Sequence, residues 1–307
     1  MIYPRMAVIG CGLIGASTAL AARMAGTVGA IAVADANPDH RARIVELGFA
    51  DLVTDSIALA VAEADLVIFA VPVLAMGHAA AEAAAHLKPG ATVSDVGSVK
   101  GSVSEALRAS LPDHALIIPG HPIAGAEQSG PGAGFAKLFD KHWVILTPEP
   151  RQDAAYLGAV AALSEFWTAT GAMVECMDAA HHDLVLAITS HLPHLIAYNI
   201  VGTAADMEDV TRAEVIKYSA GGFRDFTRIA ASDPTMWRDI FLSNKEAVLE
   251  MLGRFTEDLQ ALSRAIRWGE GDKLFDLFTR TRDIRRGIVD AGQESPEPNF
   301  GRDRDKH

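Results

Sequence analysis

The chain has 307 residues, 50% hydrophobic and 21% charged, which is ordinary for a globular protein with a sizeable core and, at this length, two domains. A net charge of −12 argues against binding nucleic acid or an anionic membrane surface, so an anionic ligand has to be drawn in by a local positive cluster. The cysteines, Cys11 and Cys176, make neither a disulfide framework nor a zinc pattern. The first residues read as a strand rather than a signal peptide, and no uninterrupted apolar run reaches the ~20 residues of a membrane span, so the expectation is a cytoplasmic protein.

Residues 6–9 are a short apolar strand, followed by Gly10-Cys11-Gly12-Leu13-Ile14-Gly15 and a helical run over 16–25. In this strand–loop–helix setting, G-x-G-x-x-G is a dinucleotide fingerprint. The first glycine allows the tight turn, the second lets backbone approach a pyrophosphate, and the third lets helix and strand pack closely. The helix N-terminus then offers N–H groups and its dipole to phosphates. The next strand, 30–34, ends at Asp35, about twenty residues on, where an acid bonds ribose hydroxyls of NAD. Asp35 also suits the turn that it opens, and Arg41 and Arg43 close by leave NADP possible. The strand 65–70 leads into Val71-Pro72, a cofactor-side loop, and then a helix near 74–86. The strand 91–96 runs into Gly97-Ser98-Val99-Lys100-Gly101, whose Ser98 is either a donor to a bound hydroxyl or the N-cap of the helix 103–109.

A further apolar run, 115–118, precedes Gly120-His121-Pro122. That places His121 on a stiff turn at a strand end, at the edge where open α/β sheets bind ligands. It either moves a proton near neutral pH or holds the loop through backbone bonds. The Gly-rich segment 125–134 reads as a mobile active-site loop, 142–147 as a strand, and Pro148-Glu149-Pro150 as a boundary. A helix over 154–170 and a strand over 172–177 complete the first domain. Strand–helix alternation up to this point means an α/β, mostly parallel, doubly wound sheet of the Rossmann type.

From Asp178, an N-cap, the chain is helical. Pro193 should kink the helix 179–205 within Ser190-His191-Leu192-Pro193-His194. His191 and His194 share a face, and without a zinc-protease spacing or an acidic ligand they read as one substrate-facing and one structural histidine, with no metal. Gly221-Gly222-Phe223-Arg224-Asp225-Phe226-Thr227-Arg228 has an anion-site composition, with Arg224 and Arg228 four apart. The alternative is a solvated face on which an arginine pairs with Asp225. Asp233-Pro234 caps a helix, and apolar stripes in the helices 252–266 and 273–289 are core or dimer interface. The polar tail 293–307 is expected to be disordered. The domains are thus 1–177, dinucleotide-binding, and 178–292, all-α, for substrate and dimerisation.

Gly-His-Pro-Ile-Ala-Gly at 120–125, Asp-Val-Gly-Ser-Val-Lys-Gly at 95–101, Ser-His-Leu-Pro-His at 190–194 and Gly-Gly-Phe-Arg-Asp-Phe-Thr-Arg at 221–228 together resemble the prephenate/arogenate (cyclohexadienyl) dehydrogenases of tyrosine biosynthesis. The resemblance runs from Met6 to about Val289. It implies oxidative decarboxylation with NAD, giving 4-hydroxyphenylpyruvate from prephenate or tyrosine from arogenate, in a homodimer joined through the helical domain. Carried over, His121 accepts the proton or hydrogen bond of the ring hydroxyl and Ser98, beside the cofactor, bonds the same hydroxyl. Arg228 grips a substrate carboxylate, His191 or His194 lies near the substrate, and Glu127 gates the mouth. Lys100, Arg224 and Asp225 form the surrounding charge network. Ala126 stands where some prephenate-preferring relatives carry a hydroxyl residue, so the expectation is arogenate or both substrates. No fused mutase or regulatory segment is read in the chain, so tyrosine would act as a product-like competitor. The runner-up, a β-hydroxyacid dehydrogenase or imine reductase, calls for a lysine on the first long helix of the second domain, which carries His181, His182, His191 and His194 and no lysine. A non-catalytic dinucleotide sensor would not need Ser98, His121 and Arg228 together.

Overall fold

Six short strands form a sheet that is parallel throughout: β1 (Tyr3–Ile9), β2 (Val28–Ala34), β3 (Leu52–Thr54), β4 (Leu66–Phe69), β5 (Thr92–Asp95) and β6 (Leu116–Ile117), in the order β3-β2-β1-β4-β5-β6. The computed structural model describes residues 1–125, 128–206 and 221–290, so the expectations placed on Ala126, Glu127 and the tail 293–307 lie outside the described residues. Side chains alternate across the sheet: Met6 and Val8 enter one core with Ile31, Ile68, Phe139 and Trp167, while Ala7 and Ile9 enter another with Val67, Phe69, Met76 and Leu107. Both faces are covered, as parallel sheets require. The covering helices are α1 (Leu13–Ala25), α2 (Pro38–Leu47), α3 (Ile57–Val61), α4 (Met76–Ala84) and α5 (Gly101–Ser110). The strand order reverses between β1 and β4, which opens a crevice at their carboxyl ends.

A second, three-stranded sheet follows: β7 (Gly120–Pro122), β8 (Trp143–Leu146) and β9 (Met173–Cys176), with β7 antiparallel to β8 and β8 parallel to β9. His121 is therefore on a strand, opposite Ile145, and not on the stiff turn at a strand end that its Gly and Pro neighbours suggest. The helix α6 (Ala154–Ala169), capped by Asp153, precedes β9. The part of the Gly-rich segment described after residue 127 is packed rather than free. Phe135 N–H donates to Ser17 Oγ, and a Cβ on Gly134 would lie 2.6 Å from that of Ala16.

Asp178 caps α7 (Ala179–Leu186) by accepting the N–H groups of Ala180 and His181. The helix then widens into a π-helical turn, Ala187–His191, before α8 (Leu192–Ala205). Pro193 falls in the first turn of α8, where the missing N–H is no loss, so the irregularity lies one turn earlier than the proline predicts. By length and composition alone Ala179–Ala205, at mean hydropathy 1.5, could cross a bilayer, yet Leu186, Ala187, Leu192 and Ala197 are buried within this unit. Next come α9 (Gly221–Thr227), a 3-10 turn Arg228–Ala231 and α10 (Pro234–Ser243), capped by Asp233. Trp237 and Ile240 of α10 pack with Val99 beside Val73 and Tyr198. These helices gather with the sheet in one compact unit, Met1–Leu249. A second begins at Glu250 and holds most of α11 (Lys245–Arg267) and all of α12 (Gly271–Asp290).

Candidate active site

At the crevice, Gly10 has φ of +82° and a Cβ there would sit 2.8 Å from the Ala70 carbonyl and 2.8 Å from Cγ1 of Val71. A Cβ on Gly15 would lie 2.4 Å from the Gly10 carbonyl, so this glycine is what lets α1 close on the loop. Gly12 is different: nothing lies within 4 Å, and it caps α1 without a side-chain bond, so the N–H groups starting at Leu13 and Ile14 face an open cradle. Asp35 ends β2 and is 9% exposed. Its Oδ2 accepts Cys11 N–H at 2.7 Å and its Oδ1 accepts Asn37 N–H at 2.8 Å, so the turn role is real and the carboxylate also fixes the glycine loop. Burial, with the Asp35 charge, pushes the Cys11 thiol up to about 12, which keeps it protonated. Arg41 donates to the Asp35 and Ala36 carbonyls and Arg43 to Glu46, so both arginines are locally engaged. An open glycine cradle at a helix N-terminus, an acid at the end of β2, and Val71 and Pro72 at the end of β4 fit a dinucleotide such as NAD.

His121 is 8% exposed, and its Nδ1 lies 2.9 Å from Nε2 of His182. His182 Nδ1 lies 2.8 Å from Oδ1 of Asp183. The Asp183 carboxylate in turn accepts the N–H groups of Lys100 and Gly101, each at 2.8 Å, and so caps α5 from across the fold. Burial, reinforced by His182, Lys100 and His191, holds His121 well below the usual imidazole range. Burial likewise lowers His182, against the pull of Asp183. Burial works to raise Asp183, but the bonds from His182, Lys100 and Gly101 outweigh it and the carboxyl is lowered. At neutral pH the site thus holds a neutral imidazole backed by a second imidazole and an ionised carboxylate.

Lys100, expected to face a substrate, is turned inward with no exposure. It donates to Asp95, equally buried, and to the Gly120 carbonyl at 2.6 Å, while Asp95 accepts Gly120 N–H at 3.1 Å. The Asp95 carboxylate meets its charge directly, and the Asp183 charge adds to the attraction. Burial pushes Asp95 up and Lys100 down, each opposed by the other's charge. Ser98 is half-buried and does not cap α5, whose preceding residue is Lys100, with no side-chain cap.

His191 is fully buried at the end of the π-helical turn, a feature often found at functional sites. Asn244 donates Nδ2 to His191 Nδ1 at 3.1 Å and to the Asp183 carbonyl at 2.8 Å. The hydrogen of neutral His191 is then on Nε2, a buried atom with no hydrogen-bond partner among the described residues. Burial lowers this histidine to about 4. His194 stacks on Trp237 at 3.6 Å between ring centroids and donates Nδ1–H to the Ser190 carbonyl. Its pKa is lowered by burial, with the Arg228 guanidinium adding to the effect, so Arg228 and His194 face one neighbourhood. Arg224 and Asp225 are exposed and 3.8 Å apart, the solvated pairing that their composition also allowed. His182, Asp183 and Asn244 carry no spacing signal in the sequence.

A family model described as "Prephenate dehydrogenase, nucleotide-binding domain" matches residues 18–176, and one described as "Prephenate dehydrogenase, dimerization domain" matches 178–280. The chain is 44% identical over 287 residues to a cyclohexadienyl dehydrogenase of Zymomonas mobilis, covering 94% of this chain and 97% of that one. A crystal structure of prephenate dehydrogenase from Aquifex aeolicus in complex with hydroxyphenyl propionate and NAD+ superposes with a TM-score of 0.86 at 35% identity, covering 93% of this chain and 98% of that one. Synechocystis arogenate dehydrogenase superposes with a TM-score of 0.78 at 25% identity, covering 92% and 99%.

Proposed function

The chain belongs to the prephenate dehydrogenase family, and we propose that it carries out the NAD-dependent oxidative decarboxylation of prephenate, arogenate or both, yielding 4-hydroxyphenylpyruvate and tyrosine. The observation that carries this reading is a buried, neutral His121 beside a dinucleotide crevice. NAD, held by Gly10, Gly12, Leu13, Ile14, Gly15, Asp35, Val71 and Pro72, supplies the hydride acceptor when bound. His121 takes the proton of the ring hydroxyl as that carbon becomes electron-poor, and Ser98 bonds the same hydroxyl. A positioned base of this kind contributes ~10²–10⁴-fold to rate.

Either substrate carries two carboxylates into a chain of net charge −12, so a carboxylate needs a fixed cation. Arg228 serves, with its planar fork, beside His194. The Nε2–H of His191, without a partner among the described residues, offers a donor to a substrate oxygen. Glu127 and Ala126 modulate access and side-chain choice, and Arg224 and Asp225 form an outer charge pair. Lys100 has no part in binding in this proposal. Leu259, Ile266, Phe275 and Phe278 on the second unit are exposed, which supports a homodimer formed through it. Tyrosine, resembling the product, would compete at the same site.

The test is NADH formation with prephenate and with arogenate, side by side at saturating NAD. Turnover of at least one is expected, falling ~10²-fold or more in kcat in His121→Asn. Turnover of neither, with NAD still bound, overturns the reaction; a near-normal kcat in the variant removes His121 as the base.

A further inference from the structure

Asp183 receives backbone N–H groups at both carboxylate oxygens, each at 2.8 Å. An ionised carboxylate only accepts, so His182 Nδ1, 2.8 Å away, must be the donor. His182 is fully buried, which disfavours the imidazolium. A neutral ring with its hydrogen on Nδ1 has its lone pair on Nε2. That atom is 2.9 Å from His121 Nδ1 and accepts there, which fixes the next ring in the same way. His121 donates from Nδ1, and its own lone pair is on Nε2.

We propose that His182 is a positioning residue for the base: together with Asp183 it holds His121 in the Nδ1–H tautomer, leaving Nε2 free for the substrate proton, and it disperses the charge that this proton brings. This rests on His121 being the base of the proposed reaction. In the step itself the substrate O–H bond breaks, its electron pair stays on oxygen, and an Nε2–H bond forms on His121. The resulting imidazolium keeps its Nδ1–H on His182, and Asp183 keeps its negative charge. The other titratable groups facing His121 are Lys100, which brings positive charge, and His191, which burial holds neutral. Asp95 is engaged by Lys100. The carboxylate that balances an imidazolium at 121 is therefore the one reached through His182.

The test combines 15N NMR of histidine-labelled protein with kinetics of His182→Leu and His182→Gln, the glutamine amide being able to accept from one side and donate to the other. His121 should show its hydrogen on Nδ1 in the parent protein. His182→Leu should lose that signature and ~10²-fold in kcat, with KM within about threefold and NAD affinity unchanged, and His182→Gln should recover at least tenfold of the loss. The proposal is overturned by a hydrogen on Nε2 of His121 in the parent, by a parental kcat in His182→Leu, or by equal impairment of both variants. If His182→Leu does not fold, the parent spectrum and His182→Gln decide alone. Full activity in His121→Asn would instead strike at the base assignment, while damage there and none in His182→Leu strikes at this inference only.

Discussion

Burying a lysine ammonium costs several kcal/mol unless its charge is met, and at Lys100 it is met by Asp95 and the Gly120 carbonyl. Since Asp95 also binds Gly120 N–H, the pair holds both backbone groups of the residue before His121. Lys100→Met should therefore destabilise the fold by about 3–5 kcal/mol, because it leaves an uncompensated carboxylate. Urea denaturation reads this directly, and Lys100→Met combined with Asp95→Asn should regain part of the loss; no change in either variant would make the pair incidental. The sequence announces His121, Asp35 and the glycines because each answers to local geometry, a strand end or a tight turn. It does not announce the inward turn of Lys100 or the roles of His182, Asp183 and Asn244. Those depend on which partner the tertiary fold delivers, and local spacing carries no record of that.

At the scale of elements, α1 and α5 solve the same problem in opposite ways. Each begins without a side-chain cap of its own, yet α5 receives the Asp183 carboxylate from α7 whereas α1 starts at an open glycine. Gly12 and Gly15 should accordingly separate on mutation. Gly12→Ala meets no protein atom within 4 Å, so it should leave the melting temperature nearly unchanged while weakening NAD binding at least tenfold, by crowding the cradle. Gly15→Ala forces a Cβ to within 2.4 Å of the Gly10 carbonyl and should cost about 1–3 kcal/mol of stability as well. Melting curves and NAD titrations on the two variants check this, and an unstable Gly12→Ala would contradict the open cradle. The element types along the chain are readable from period and punctuation, with α7 and α10 correctly started by Asp178 and Asp233. The pairing of β7 with β8 is not, since three residues are too few to carry an alternation.

For the molecule as a whole, the buried histidines set how stability responds to acid. His121, His182 and His191 all have lowered pKa values, so below the ordinary imidazole range the unfolded chain binds protons that the folded chain refuses. Their contribution is complete above pH ~6.5 and is lost as pH falls. For His191, lowered to about 4, the window runs from pH 6.5 to 4. It amounts to about 3 kcal/mol at its acid end. Urea midpoints measured across that window should drop steeply, and more shallowly in His191→Gln; parallel slopes would show that His191 is not held neutral. The change from strand–helix alternation to helices alone after Asp178 is legible in the sequence. The gathering of α7 to α10 with the sheet is not, because it depends on single side chains such as Asp183 and Trp237 reaching across.

The widened turn at Ala187–His191 has one more consequence. An α-helix advances about 100° per residue, and a π-helical turn absorbs one residue more than an α turn. Deleting a single residue between 187 and 190 would restore an unbroken α-helix and leave everything from His191 onward facing as it does, because the wide turn has already absorbed the extra residue. A one-residue deletion in the regular part of α7 would instead swing His191 away from Asn244 and His194 from Trp237 by about 100°. Chain length inside the wide turn is thus a slack that the helix can lose without turning, while one turn earlier the same loss would redirect both histidines.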